Sequence, residues 1–353
     1  AVMSNLIDLE DESNTTRLLV GEFDRLALYF PVYLASILKL FNKHGLSVDF
    51  IATGGDDKTY ASLIQNSAQI GLSDPMFAMI DNPFAVKGKI IGELVGAPPL
   101  YAVTFKPQIK IKKIEELENC KVGTYEHWHI GTYQPFSTTN TISRYLLKKS
   151  QISAIHHTKM EESLYNGDID VAIVVAEQAY NLEKKGARII YSLRKTVPHF
   201  LMTGFTIAET LEKKYKKATP QFLQAVQESL KYIFDNKQKA LNIFKKEFNA
   251  LNQPEKTFND YLTVWNKNLK VNKKDWTQSL RFWKTLYPRL LHEINPFLLK
   301  NKKTKIFNKL INKIKNKLHP EEWEKVENMT KRLIGRVLHN PTTKLKQLSV
   351  KKD

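Results

Sequence analysis

Between Leu18 and Ala208, short apolar runs bounded by turn residues alternate with stretches whose apolar residues recur every three or four positions. A continuous apolar run fits a strand buried on both faces, and the helical stretches fit crossovers, so the pattern restricts the chain to an α/β fold with helix-covered sheets. "LLVGEF" (18–23) opens as a strand. "PVYLASILKLFNKHG" follows as a helix, with Pro31 in its first turn and Gly45 past its end. "LSVDFIA" (46–52), "AQIGLS" (68–73) and "KIIGELVG" (89–96) are further strands, and "KTYASLIQN" (58–66) is a helix. "LYAVTF" (100–105) leads into a second group: strand 120–125, helix 138–150, strand "AIHHTK" (154–159), helix 161–168 and strand 170–175. "FLMTGFTIA" (200–208) brings the chain back, and helical periodicity dominates from 221 onward. Two lobes joined by two crossings make a hinge, with a ligand between them. The boundaries expected are a flexible 1–17, a first lobe over 18–104, a second over 105–200, and a return with helical extension over 201–298. A basic helical segment over 299–353 follows. Residues 251–298 are aromatic and helical but fit no pattern that assigns them.

The formal charge is +18, and nearly all of it lies beyond residue 240, so an argument about acidic partners concerns the C-terminal third. Cys120 is the single cysteine, which excludes an intramolecular disulfide and a Cys-rich zinc site. "AVMSNLIDLEDESNTT" has no basic n-region or apolar h-region, and Met3 reads as a native start. The expectation is a cytoplasmic protein; the alternative is a periplasmic one whose signal peptide has been removed. No run reaches the ~20 apolar residues of a membrane span.

Particular phrases carry a family resemblance. "PVYLASILKLFNKHGLSVDFIATGG", "SLIQNSAQIGLSDP", "IEELENCKVGTYEHWHIGTY" and "SLYNGDIDVAIVVAEQAYNLEKKG" occur in an order similar to that of the type II periplasmic-binding-protein fold. The resemblance is to its nitrate, alkanesulfonate and thiamine-pyrimidine branch, NMT1/THI5-like and SsuA-like. It covers about residues 18–250, with Gln69 standing where an Asp is usual. It implies a two-lobe fold with a hinge and a small-molecule ligand held by strand-to-helix loops, where free backbone N–H groups favour anions.

The loops named on that basis supply Asp24, Arg25 and Tyr29; Thr53 and Gly54; and Ser73, Asp74 and Phe77. From the second lobe come Glu126, His127, Trp128, Tyr133, Thr138, Thr139, Asn140 and Glu177. Trp128 and Tyr133 offer flat apolar surfaces, and Thr138, Thr139 and Asn140 lie at a helix start, so the expected ligand is apolar or aromatic with an anionic end. Plainer readings stand beside these. Asp24 and Arg25 pair with each other at the surface, Ser73 to Pro75 form a turn, and Trp128 belongs to the core. His127 and His129, two apart in an extended segment, are metal or haem-iron candidates set against a reading as polar loop residues; His156 and His157 are adjacent. No cofactor is identified.

Relatives of this fold include a pyrimidine synthase and a dehydratase of menaquinone biosynthesis. The synthase resemblance implies a lysine near Ser73 and a run of cysteines, both missing here. A dehydratase needs a base, for which Glu126, His127 or Asp74 would serve. No nucleophile motif, G-x-G-x-x-G or P-loop is present, and the reading is non-catalytic.

In the tail, "KTKIFNKLINKIKNKL" and the helix after Pro320 are amphipathic. Trp323, Val326, Met329, Leu333, Val337 and Leu338 form a stripe that needs an outside apolar surface. "LHPEEWEKVENMTKRLIGRVLHNPTTKLKQLS" resembles the dimerisation domain of glutamyl-tRNA reductase, through Thr330, Leu333, Leu338, His339, Pro341, Thr342 and Leu345, with Gly335 and Arg336 where Asn and Lys are usual. The resemblance implies a homodimer, or a heterodimer with such a reductase, and hence a sensor linked to haem and tetrapyrrole synthesis. The acidic residues at 321–327 interrupt the basic face, so neither nucleic acid nor membrane is the expected partner. The remaining alternatives are an enzyme on the same fold and the exported receptor of an ABC importer.

Overall fold

A computed structural model describes residues 15–79, 87–125, 137–287 and 321–322. Strands β1 (Thr16–Glu22), β2 (Leu46–Ala52), β3 (Ile70–Ser73), β4 (Gly88–Val95) and β10 (Thr203–Ala208) form one sheet in the order β2-β1-β3-β10-β4. Strands β5 (Leu100–Thr104), β6 (Lys121–Tyr125), β7 (Gln151–Ile155), β8 (Val171–Val175) and β9 (Arg188–Ser192) form another in the order β7-β6-β8-β5-β9. The plans match. In each sheet three parallel strands are followed by one antiparallel strand, β10 in the first and β5 in the second. Each sheet thus takes its fourth strand from the segment that follows a crossing, β10 after the return and β5 after the first passage.

Helices α1 (Phe30–Ile37), α2 (Leu40–Lys43) and α3 (Asp56–Ile64) cover the first sheet, and α4 (Thr138–Leu146), α5 (Met160–Asn166) and α6 (Ala176–Lys184) the second. After β10 come α7 (Glu209–Glu212), α8 (Ala218–Asp235), α9 (Lys237–Glu247), α10 (Pro254–Tyr261) and α11 (Lys273–Leu286). The helix expected over 31–45 is two helices, because Lys39 adopts a left-handed conformation (φ 56°) between them. That break costs about 1–2 kcal/mol. It also turns Phe41 inward to stack on Phe222 of α8, with ring centroids 5.2 Å apart, and burying a phenylalanine is worth a comparable ~1.5–3 kcal/mol.

Two boundaries differ from those expected. β5 belongs to the second sheet, since its residues pair with β8 and β9 and with nothing in the first. β7 starts at Gln151 and ends at Ile155, because the parallel ladder with β6 runs from Lys121↔Gln151 to Tyr125↔Ile155. His156 is exposed beyond the strand end, where its ring Nδ1 accepts the Thr158 N–H (3.4 Å) in a short 3-10 turn.

The chain crosses between the lobes at 96–99 and 193–202, and the crossings are tied by Phe200 N–H to the Gly96 carbonyl (3.0 Å) and Met202 N–H to the Val95 carbonyl (3.0 Å). The segment unassigned from sequence resolves, as far as residue 287, into a third link. α10 packs on α9 of the first lobe and α6 of the second. Within α11, Trp283 meets Phe77 of the first lobe edge-on (5.3 Å), and Phe282 stacks on Tyr145 of the second (3.8 Å, 12°).

Two buried charge clusters pin this link. Asp260 accepts the Tyr101 and Tyr180 hydroxyls (2.8 and 3.0 Å) and pairs with Arg194. At the first crossing, Glu93 accepts Asn272 N–H (2.8 Å) and the Asn266 amide (3.1 Å) and lies against Asp275, which His199 meets at 2.8 Å. Burial pushes Glu93 up to about 8, and the Asp275 carboxyl beside it adds to the effect. Gly96 is required here for space: a Cβ would lie 2.6 Å from both a Glu93 and an Asp275 oxygen. Among the described residues no helix is long and apolar enough to cross a membrane.

Candidate functional site

The carboxyl ends of the parallel strands in both lobes lead into the loops that face each other, the position where open α/β sheets bind ligands. β1 ends at Glu22, whose side chain is 3% exposed and accepts the Tyr33 hydroxyl of α1 at 2.5 Å. Burial raises Glu22 to about 7, with the Tyr33 bond and the Arg25 guanidinium opposing the rise. Arg25 is exposed; it lies 4.4 Å over the Tyr33 ring and pairs with Glu247 at 2.9 Å. The surface pairing of Arg25 expected with Asp24 is thus replaced by one with α9, and Asp24 folds onto the Arg25 backbone N–H (2.7 Å).

β2 leads through Thr53 and Gly54 into α3. The Thr53 hydroxyl bonds the Glu22 carbonyl (2.9 Å) and Thr59 (2.7 Å), which makes it a brace of the loop, and Gly54 takes a positive φ of 79°. Asp56 and Asp57 occupy the first turn of α3 and are buried. Burial raises Asp56 well above the usual carboxylate range, reinforced by the nearby Asp74, and lifts Asp57 to about 6.

β3 ends at Ser73, buried beside β10, and Asp74 follows. Asp74 accepts Met76 N–H (2.9 Å) on one oxygen and the Thr138 hydroxyl of the second lobe on the other. Burial lifts it to about 7 against those two bonds. Its own N–H donates to Asp56 (3.2 Å). Tyr29 is buried close enough to Asp56, Glu22 and Asp74 that burial and all three carboxyls raise its phenol. Phe77, expected to face the ligand, packs instead in the core against Trp283; it is 1% exposed because the 3-10 turn after Asp74 points it away from the loops.

From the second lobe, Ser137 caps α4 by accepting Asn140 N–H (3.0 Å), and Thr138, Thr139 and Asn140 are all buried. The Asn140 amide donates to Thr124 (2.9 Å), and its oxygen has no partner among the described residues. Glu177, in the first turn of α6, is partly buried. It accepts the Tyr261 hydroxyl (3.2 Å) and the Ala27 N–H of the first lobe, and burial raises it to about 7. Glu126, His127, Trp128, His129 and Tyr133 lie outside the described residues, as do Trp323, Val326, Met329, Leu333, Val337 and Leu338; the His157 side chain is likewise outside them.

The anionic ligand end expected from helix termini meets a physical obstacle at α3 and α6, but not at α4, whose first turn carries no acidic residue. Asp56 and Asp57 already sit in the first turn of α3, Asp74 receives the amide at the following 3-10 turn, and Glu177 occupies the first turn of α6. Each carboxyl takes the favourable field that an anion would need. Sequence reasoning selected none of Glu22, Asp56, Asp57, Tyr33 and Tyr261. The available signal was an acidic residue closing an otherwise apolar strand, as Glu22 closes "LLVGE".

Residues 28–240 match the family model described as NMT1/THI5 like, and residues 298–353 match that of the glutamyl-tRNA(Glu) reductase dimerisation domain. Among solved structures, the chain is similar to the periplasmic aliphatic sulphonate binding protein SsuA from Escherichia coli, with a TM-score of 0.64 and 12% identity over 77% of this chain and 92% of that one. It is also similar to the alkanesulfonate-binding protein SsuA from Xanthomonas axonopodis pv. citri, solved bound to MOPS, with a TM-score of 0.61 and 11% identity over 80% and 96% of the two chains. These likenesses are of fold, and the fold is the type II periplasmic-binding-protein fold that the sequence resembles. YtlA of Bacillus subtilis is 35% identical over 71 residues, 20% of this chain, so the match spans about a fifth (21%) of that curated relative.

Proposed function

The chain belongs to the NMT1/THI5-like family, and from that premise we propose that it is a receptor that closes its two lobes on a small molecule and presents it to an ABC importer. One observation carries the reading: the facing loops are joined by contacts from both sides, Asp74 to Thr138 and Glu177 to Ala27 N–H, as a cleft between hinged lobes requires. The periplasmic description of the Escherichia coli SsuA neighbour supports a place outside the cytoplasm over the cytoplasmic one expected from the N-terminus. Both SsuA neighbours are named for sulfonates, but the carboxyls at the loops of this chain favour a ligand rich in hydrogen-bond donors or carrying positive charge.

The test is small-angle X-ray scattering with native mass spectrometry, across a panel of taurine, methanesulfonate, putrescine, agmatine and choline. A bound small molecule that reduces the radius of gyration supports the reading; unchanged scattering with a bound ligand refutes closure. The match of residues 298–353 to a dimerisation domain favours a second element, association through the tail, either with itself or with a glutamyl-tRNA reductase. Light scattering of the full chain and of a chain ending at Tyr287 checks it: loss of a dimer on truncation is the expected result, and a monomer in both refutes self-association. The link to tetrapyrrole synthesis requires that the reductase bind, and co-sedimentation of the two proteins decides it.

A further inference from the structure

We propose that the lobes close with uptake of protons, through two carboxyl groups that each reach across the cleft to a donor on the opposite lobe; this rests on the receptor reading above. Asp74 belongs to the first lobe and accepts the Thr138 hydroxyl of the second. Glu177 belongs to the second lobe and accepts the Ala27 N–H of the first. The arrangement is reciprocal, so separating the lobes must break both contacts and return both carboxyls to water.

Among the described residues the groups facing each carboxyl are few. Around Asp74 are the Asp56 carboxyl, the Met76 N–H, Tyr29 and Thr138. Around Glu177 are the Tyr261 hydroxyl, the Ala27 N–H and the Asp24 carboxyl. Among the described residues neither carboxyl has a lysine, arginine or histidine beside it, and the closest charges are carboxyls. Burial between the lobes therefore opposes ionisation, and both groups are held at about 7. In an open cleft they return toward the ordinary value of about 4.

The sign follows from which state holds more protons. Between about pH 4 and pH 7 the closed form binds protons that the open form releases, so closure is favoured as pH falls and opposed as pH rises through 7. The proton comes from solvent and settles on a carboxylate oxygen. The contacts to Thr138 and Tyr261 survive this, because a hydroxyl donates to a carboxylate and accepts from a carboxylic acid. Each group that titrates fully adds about a tenfold change in the closing equilibrium per pH unit within that window.

The test is single-molecule energy transfer in the unliganded full chain. Dyes are placed on exposed sites of opposite lobes, Asn42→Cys and Asn166→Cys, with Cys120→Ser. The closed-to-open ratio is expected to rise at least tenfold from pH 8 to pH 5.5. Asp74→Asn and Glu177→Gln keep an acceptor oxygen at each contact but do not titrate; each is expected to flatten the profile, and the pair to abolish it. Lobes that move but show equal ratios at the two pH values overturn the proposal while leaving the receptor reading intact. So does a pH dependence that persists in the double variant; if that variant fails to fold by circular dichroism, the two single variants and the wild-type series decide. A separation fixed at every pH and with every ligand of the panel overturns both readings.

Discussion

Replacing Glu93 with glutamine should stabilise the protein at pH 8 and leave it nearly unchanged at pH 5.5. Glu93 is 1% exposed and its carboxyl is held at about 8 against an ordinary 4.5, chiefly by burial and by Asp275. Ionising it in the folded state at pH 8 therefore costs up to about 4 kcal/mol relative to the unfolded chain, and at pH 5.5 about 1 kcal/mol. The sign is that of a raised acid: the folded state is favoured while the group holds its proton, and that advantage drains away as pH rises from about 4.5 toward 8. Glutamine removes the ionisation at both pH values. It keeps an acceptor for the Asn272 N–H but gives up the one for the Asn266 amide, a loss of about 1 kcal/mol. The net gain is then roughly 2–3 kcal/mol at pH 8 and close to zero at pH 5.5. Urea unfolding of wild type and Glu93→Gln at the two pH values reads this directly as a midpoint difference that grows with pH. A difference independent of pH, or a variant less stable than wild type at pH 8, would refute the assignment of the strain to this carboxyl pair.

Three further substitutions test neighbouring parts of the argument. Tyr33→Phe removes the hydroxyl that Glu22 accepts, and should cost about 1 kcal/mol at pH 5.5 and about 2 at pH 8, where Glu22 is ionised; unfolding at both values checks the increase. Arg194→Met strips the guanidinium from buried Asp260 and leaves two tyrosine hydroxyls to hold it, an expected loss of about 3 kcal/mol in chemical denaturation. Gly96→Ala sets a methyl group 2.6 Å from two carboxyl oxygens and should lower the melting temperature; an unchanged value would mean that the crossing yields freely.

The architecture was legible because the strands are buried on both faces. "LLVGE", "AQIGLS" and "DVAIVV" read as apolar runs precisely where a parallel sheet requires them, and the helix between Asp56 and Ile64 carries its period plainly. What the pattern could not show is pairing. Nothing local in "LYAVT" says that it joins the second sheet, since that depends on β8 and β9, whose residues lie about 70 to 90 positions away. The site was legible as loops and illegible as chemistry. Thr53, Asp74 and Glu177 are polar residues at strand ends, but only the fold shows that Thr53 braces its own loop while Asp74 and Glu177 span the lobes. Phe77 was misplaced because an aromatic residue after a site loop looks the same in sequence whether it faces a ligand or Trp283.

The helix pair α10–α11 gives the molecule something closer to a torsion spring than a free joint. Tyr145 and Phe282 lie flat against each other on the second-lobe side, and Trp283 and Phe77 meet edge to face on the first-lobe side, so adjacent residues of one helix are clasped by both lobes. Swinging the second lobe should therefore strain one clasp or the other, so that α11 resists the motion from both sides.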